Sequence, residues 1–281
     1  GRRTRTVTRS LRICQHACML ACMHAHVLAV AMQKGGVGKT TTAMNVAYEL
    51  GQHGLAVLLI DVDQQAHATS GLGVTVGPDD ATMFEVLHPD RQERVPLSDV
   101  IQHSAFGVDV APGAYALRSL ERTGLGTAGQ LRLAQGLESV SERYEVVVID
   151  CPPALGDLTV AALAAADDVL APVSPGADEL SALRVLGSTV LDVQEGLNPR
   201  LEIRHVLATD FDGRSQLARD VRRSLSTDWP TEYLGEISST VRVREAKARG
   251  VPIAVHAPGC TAAEDYQRVA KRIAERMTAS V

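Results

Sequence analysis

Aromatic side chains are scarce: three Phe, one Trp and five Tyr in 281 residues. That disfavours a nucleic-acid binder that stacks bases on aromatic platforms. Cysteine is also sparse, and three of the five crowd together at Cys14, Cys18 and Cys22. Such a pattern is no secreted disulfide framework and points to a reducing, cytoplasmic compartment. No uninterrupted apolar run reaches the roughly 18 to 20 residues that a membrane span needs. Internal repeats and low-complexity linkers are absent after residue 24. With 45% hydrophobic and 22% charged residues, a wholly disordered, collagen-like or coiled-coil chain is excluded as well.

Acidic residues are missing from one end. Residues 1–24 carry five Arg and no acid, residues 25–199 carry 9 basic against 22 acidic residues, and residues 200–281 carry 14 against 11. An acidic body with a basic C-terminal region can meet a polyanion locally, because a patch sets that attraction. The basic start (Arg2, Arg3, Arg5, Arg9, Arg12) runs into a fairly apolar stretch, which is the outline of a signal or transit peptide. Gln15, His16, His24 and His26 interrupt it. Residues 1–25 are therefore expected to be a disordered basic extension, and 26–281 one domain. Cys14, Cys18 and Cys22 with His16, His24 and His26 have the chemistry of soft-metal ligands, but their spacing matches no familiar zinc knuckle.

From Val27 onward short apolar runs alternate with helical patterns. Val27–Ala31, Ala56–Ile60, Glu145–Ile149, Asp168–Val173 and Ile203–Ala208 read as strands; Thr40–Gly51, Leu158–Ala166 and Glu179–Gln194 read as helices. The alternation predicts an α/β fold, a doubly wound, mostly parallel sheet with helices on both faces.

Between the first strand and first helix stands Lys34-Gly35-Gly36-Val37-Gly38-Lys39-Thr40-Thr41. It fits the phosphate-loop pattern G-x-x-x-x-G-K-[ST], except that Gln33 or Lys34 stands where the first Gly usually does. Glycines let successive N–H groups turn toward phosphate oxygens, the helix start adds its positive dipole end, and Lys39 supplies a full charge to the β and γ phosphates. Thr40 would place its hydroxyl on Mg²⁺.

These residues resemble the deviant Walker A box of the ParA/MinD group of P-loop ATPases, in which an additional lysine precedes the glycines. Asp61-Val62-Asp63-Gln64-Gln65 is similar to that group's D-x-D-P-Q segment, Asp150-Cys151-Pro152-Pro153-Ala154-Leu155-Gly156 to its Walker B and switch segment, and Val241-Arg242-Val243-Arg244-Glu245-Ala246 to the ParA V-R-L-S-E-A stretch. The resemblance covers about residues 26–277. It implies ATP and Mg²⁺ as cofactors and a homodimer sandwiching the nucleotide, with Lys34 reaching the partner's phosphates, Asp63 orienting the attacking water, and Thr40, Asp61 and Asp150 serving the metal. Cys151 reads as a buried neighbour of the switch prolines. Gln64 in place of proline, Ile237-Ser238-Ser239-Thr240 where I-P-R-N is common, and Asp157 in place of an apolar residue depart from the pattern.

Helical spacing over 214–225 puts Leu217, Val221 and Leu225 on a core stripe and leaves Arg219, Arg222 and Arg223 free. A second basic cluster follows at Arg242, Arg244, Lys247 and Arg249, where Arg244 and Lys247 replace uncharged residues of the family stretch. Such clusters bind phosphate backbone without reading sequence. The resemblance links Arg214 and Arg242 to non-specific double-stranded DNA, and it implies nucleoid association and a ParB-like partner that stimulates an otherwise weak hydrolysis. The competing reading is a MinD-like membrane-associated ATPase, whose marker is a C-terminal amphipathic helix. Here Tyr266, Val269, Ala270, Ile273 and Met277 form a stripe with no Trp or Phe, expected to pack on the domain, so no membrane partner is expected.

Overall fold

The computed structural model describes residues 25–176 and 178–279. The extension over 1–24, with its Cys/His cluster, lies outside them. Eight strands are found among the described residues: β1 (His26–Val30), β2 (Val57–Asp61), β3 (Gln102–His103), β4 (Asp109–Ala111), β5 (Val146–Asp150), β6 (Asp168–Val173), β7 (Glu202–Phe211) and β8 (Tyr233–Ser238). They form one sheet in the order β3-β4-β2-β5-β1-β6-β7-β8, parallel throughout except for the β3–β4 pair. In β2, β5 and β6 every residue is buried, as expected where helices cover both faces of a parallel sheet.

The helices are α1 (Lys39–Gln52), α2 (His67–Gly71), α3 (Met83–Leu87), α4 (Leu97–Val100), α5 (Leu117–Thr123), α6 (Arg132–Glu138), α7 (Asp157–Ala165), α8 (Glu179–Gly196), α9 (Gln216–Asp228), α10 (Val241–Arg249), α11 (Ile253–His256) and α12 (Thr261–Ala279). Strand alternation divides the core. Val27 and Ala29 of β1 face Leu158, Leu186 and Val221 of α7, α8 and α9. Leu28 and Val30 face Met44, Leu50 and Ile273 of α1 and α12.

The strands expected from sequence all appear, with ends shifted by a residue or a few, and β7 extends through Phe211. Leu217 is a correction. It is exposed, and the buried stripe of α9 is Ala218, Val221 and Leu225. The helix begins at Gln216, so Leu217 sits in the first turn at the edge of that stripe, about 40° from Val221 and 100° from Ala218. The C-terminal stripe does pack on the domain: Tyr266, Val269, Ala270 and Ile273 are buried against the core that contains α1 and β8, and Met277 packs at its edge. No helix among the described residues is long and apolar enough to cross a membrane.

At the N-terminal ends of β1, β6 and β7 one carboxylate holds three strands together. Asp168 lies 2.9 Å from His26 Nε2, 3.1 Å from Arg204 Nε and 3.7 Å from the fully buried His205 Nε2. Burial alone would raise its pKa, but the two histidines beside it outweigh burial and hold the carboxyl well below its ordinary range. Burial lowers the pKa of His205 despite that partner.

Candidate nucleotide site

Register places the acidic residues. Val30 and Asp61 both lie opposite Asp150, so β1, β2 and β5 end level with one another and the loop after β1 sits over two carboxylates. This is the C-terminal edge of the sheet, where ligands of open α/β folds collect.

The loop is shaped by glycine where the backbone demands it. Gly36 and Gly38 have φ of 81° and 86°, a left-handed conformation that side chains with a Cβ resist. Gly38 precedes α1 without a side-chain cap, so the first N–H groups of α1 remain available to an anion. Thr209 at the end of β7 braces the loop by donating its hydroxyl to the Val37 carbonyl at 2.7 Å. Lys39 is buried and donates to the Lys34 carbonyl at 2.7 Å, arching its amine across the loop. Burial lowers its pKa, opposed by the charge of Asp150.

The three acids differ sharply in how they are satisfied. Asp61 is fully buried and accepts from the N–H and hydroxyl of Thr69 at 2.9 and 2.8 Å and from the Asp63 N–H at 3.1 Å. Burial still pushes its pKa up to about 6. Asp63 is nearly buried and caps its own turn, accepting from the Gln65 N–H at 2.9 Å. Asp150 is fully buried, and neither of its oxygens completes a hydrogen bond. Burial and the nearby Asp61 raise its pKa well above the carboxylate range, while the Thr40 hydroxyl and Lys39 pull the other way. A buried carboxylate pair with one member unbonded, beside a loop threonine, is a donor set suited to a hard divalent cation. The fit is therefore good for the Mg²⁺ that the sequence implies.

Lys34 behaves differently from Lys39. Its amine is bound at 2.7 Å by Glu179 Oε1, at the start of α8, and that buried carboxylate also accepts from Ser174 at 3.2 Å. The Glu179 hydrogen bond raises the Lys34 pKa. Sequence reasoning missed Glu179 and Thr209, because each is brought to the loop by tertiary structure from a segment without a motif of its own, and it gave no role to Thr69, which bonds Asp61. Asp157, a departure in the switch, accepts from the Leu125 N–H at 3.1 Å and so ties the switch to the preceding layer. Cys151 is buried, as expected.

A cavity of about 490 Å³ opens over residues 35–41 and runs past Asp63 and Thr209 to Ile237, Ser238, Arg244 and Lys247. The arginines expected to be free are locally paired. Arg214 precedes α9 and makes two 3.0 Å bonds to Asp212; Arg219 bonds the Gly213 and Arg214 carbonyls; Arg222 lies 3.8 Å from Glu236 and over the Phe211 ring; Arg223 lies 3.7 Å from Asp220. Arg242 pairs with Glu245 at 2.9 Å, and Arg249 contacts His256 at 3.3 Å. The pairs of Arg214, Arg223 and Arg242 are solvent-exposed and so are weakly held.

Known proteins share this architecture. Residues 25–203 match the AAA domain family. The chain is 37% identical over 251 residues to the sporulation initiation inhibitor protein Soj of Bacillus subtilis, spanning 88% of this chain and 98% of that one. To the chromosome-partitioning ATPase Soj of Thermus thermophilus it is 38% identical over 253 residues, 89% and 96% of the two chains. A solved structure of cobyrinic acid a,c-diamide synthase from Mycobacterium smegmatis, with a bound ATP analogue and magnesium, matches with a TM-score of 0.78 and 29% identity, covering 92% of this chain and 97% of that one. Coverage of nearly the whole length of its relatives, with the loop and acidic segments in family order, places the chain in the AAA domain family and, within it, among the ParA/Soj chromosome-partitioning ATPases.

Proposed function

We propose that this ATPase works as a partition switch: it binds Mg-ATP on the 34–41 loop, closes as a homodimer over two nucleotides, holds duplex DNA without sequence preference in that state, and lets go when a ParB-like partner stimulates hydrolysis. Lys39 and the loop N–H groups take the β and γ phosphates. Thr40, Asp61 and Asp150 serve the metal, which supplies charge neutralisation at the β–γ bridge. Asp63 orients the attacking water, and its Asx turn holds the carboxylate at the cavity wall. Lys34 acts on the partner's phosphates once it leaves Glu179, so the ion pair keeps that charge at home until two chains close. Nucleoid association follows from the exposed arginines at 214, 219, 222, 223, 242 and 249.

The observation that most supports this reading is the unbonded, fully buried Asp150 carboxylate beside a phosphate loop. Lys39→Ala should weaken ATP binding by roughly 10- to 100-fold, the scale of a lost bond to a charged group. Asp63→Ala should bind ATP normally and hydrolyse it at background rate, trapping the dimer. Equal loss of nucleotide affinity in both variants would refute these roles.

A further inference from the structure

The basic residues of α10 divide into two stripes. Arg242, Glu245 and Arg249 share one: Arg242 pairs with Glu245, and Arg249 contacts His256, which itself lies 3.1 Å from Glu245. Arg244 and Lys247 share the other, three residues apart, and both line the cavity that opens over the phosphate loop. Both are exposed, and neither side chain has a hydrogen-bond or ion-pair partner among the described residues.

The other polar side chains of this wall are already committed. Ser238 donates its N–H and hydroxyl to Asp265 Oδ2 at 2.8 and 2.7 Å, and Ser239 donates to Asp210 Oδ1 at 2.6 Å. Thr240 caps α10 by accepting from the Arg242 N–H at 3.3 Å. Where β8 meets α10, the two cations, with the Thr240 hydroxyl proton, are thus the side-chain donors left for a ligand. Like charges one helical turn apart repel, and an acceptor-rich group between them removes that cost. A nucleotide whose β and γ phosphates lie on the loop directs its remaining acceptors along the same cavity.

We infer that Arg244 and Lys247 belong to the nucleotide site, donating to acceptors of the bound nucleotide beyond its β and γ phosphates, and stand apart from the DNA surface. This rests on the reading of residues 34–41 as the ATP site. Two sources offer the required acceptors. The α-phosphate is common to all nucleoside triphosphates, whereas the N7 acceptor belongs to the purines alone.

Fluorescent analogues of ATP, GTP and CTP titrated into the full chain test the assignment. Arg244→Ser/Lys247→Ser should weaken binding at least about tenfold, while Arg184→Ser/Lys271→Ser, which removes two exposed charges elsewhere, serves as the control for charge alone. Loss across all three nucleotides supports the inference through the α-phosphate; loss confined to ATP and GTP supports it through the purine edge. The salt dependence of DNA binding, measured at saturating ATP, should keep the wild-type slope. Unchanged nucleotide affinity together with a shallower slope would overturn the inference and return both residues to the DNA surface. Lys39→Ala separates the two levels: ATP affinity left unchanged by this substitution defeats the phosphate-loop reading itself.

Discussion

A lysine expected to act across a dimer interface is, in the single chain, the partner of a buried glutamate. Removing it alone strands Glu179, which keeps only Ser174 as a donor, so Lys34→Ala is best paired with Glu179→Gln. The double variant should bind ATP as a monomer with near wild-type affinity and fail to dimerise on ATP. Glu179→Gln by itself should dimerise at lower ATP concentration, since the competing carboxylate is gone. An ATP-dependent dimer of normal affinity in the double variant would count against the cross-subunit role. Thr69 gives a stability test at the same scale. It donates to Asp61 through two groups and accepts from the Gly113 N–H at 3.0 Å. Thr69→Val should cost about 1–3 kcal/mol by leaving buried groups unpaired, and roughly 2–4 °C of Tm per kcal/mol; calorimetry reads this directly. Lys34, Lys39, Thr40, Asp61, Asp63 and Asp150 were legible in the sequence because each sits in a local pattern. Glu179 and Thr69 were not, since their contacts to Lys34 and Asp61 span 145 and 8 residues and no spacing rule announces them.

Among the elements, the strands that form the middle of the sheet could be read from their apolar runs, because a strand buried on both faces is continuous in sequence. β3 and β4, of two and three residues, are too short to show a period, and β8 mixes Gly235 and Glu236 into its run. The cluster that joins β1, β6 and β7 escaped for another reason: His26, Asp168 and His205 look unrelated until the strands are adjacent. It predicts a pH dependence. His205 has a lowered pKa, so the unfolded chain binds its proton more readily, and stability should begin to fall as pH drops below the free value of about 6.5. Asp168 has a depressed pKa, so its contribution is present above the unfolded value of about 3.9 and lost as pH falls further. Both act in the same direction. Melting temperature should decline from pH 7 to pH 4, and His205→Gln should flatten the upper part of that decline even though it lowers stability at pH 7. A melting temperature independent of pH over this window would contradict the assignment.

For the whole molecule, the basic residues are dispersed over the C-terminal third and several, Arg214, Arg223 and Arg242 among them, are tied to neighbouring acids, so one chain presents only a weak surface for a polyanion. In the proposed dimer, two chains closed over nucleotide would roughly double the phosphate contacts. Each contact contributes a slope of about -0.9 in log affinity against log salt, so DNA affinity should rise with ATP and collapse with added salt. Arg214→Ala and Arg242→Ala should weaken binding to all sequences alike. The buried stripe of α12 bears on the membrane alternative, because Tyr266, Val269 and Ile273 are occupied by the core and unavailable to lipid. The most direct test is analytical ultracentrifugation of the full chain with and without Mg-ATP, followed by addition of duplex DNA at low salt. A monomer that becomes a dimer with ATP and then co-sediments with DNA of any sequence is the predicted result. An ATP-bound dimer that ignores DNA yet sediments with anionic liposomes, or a chain that never dimerises, would contradict it.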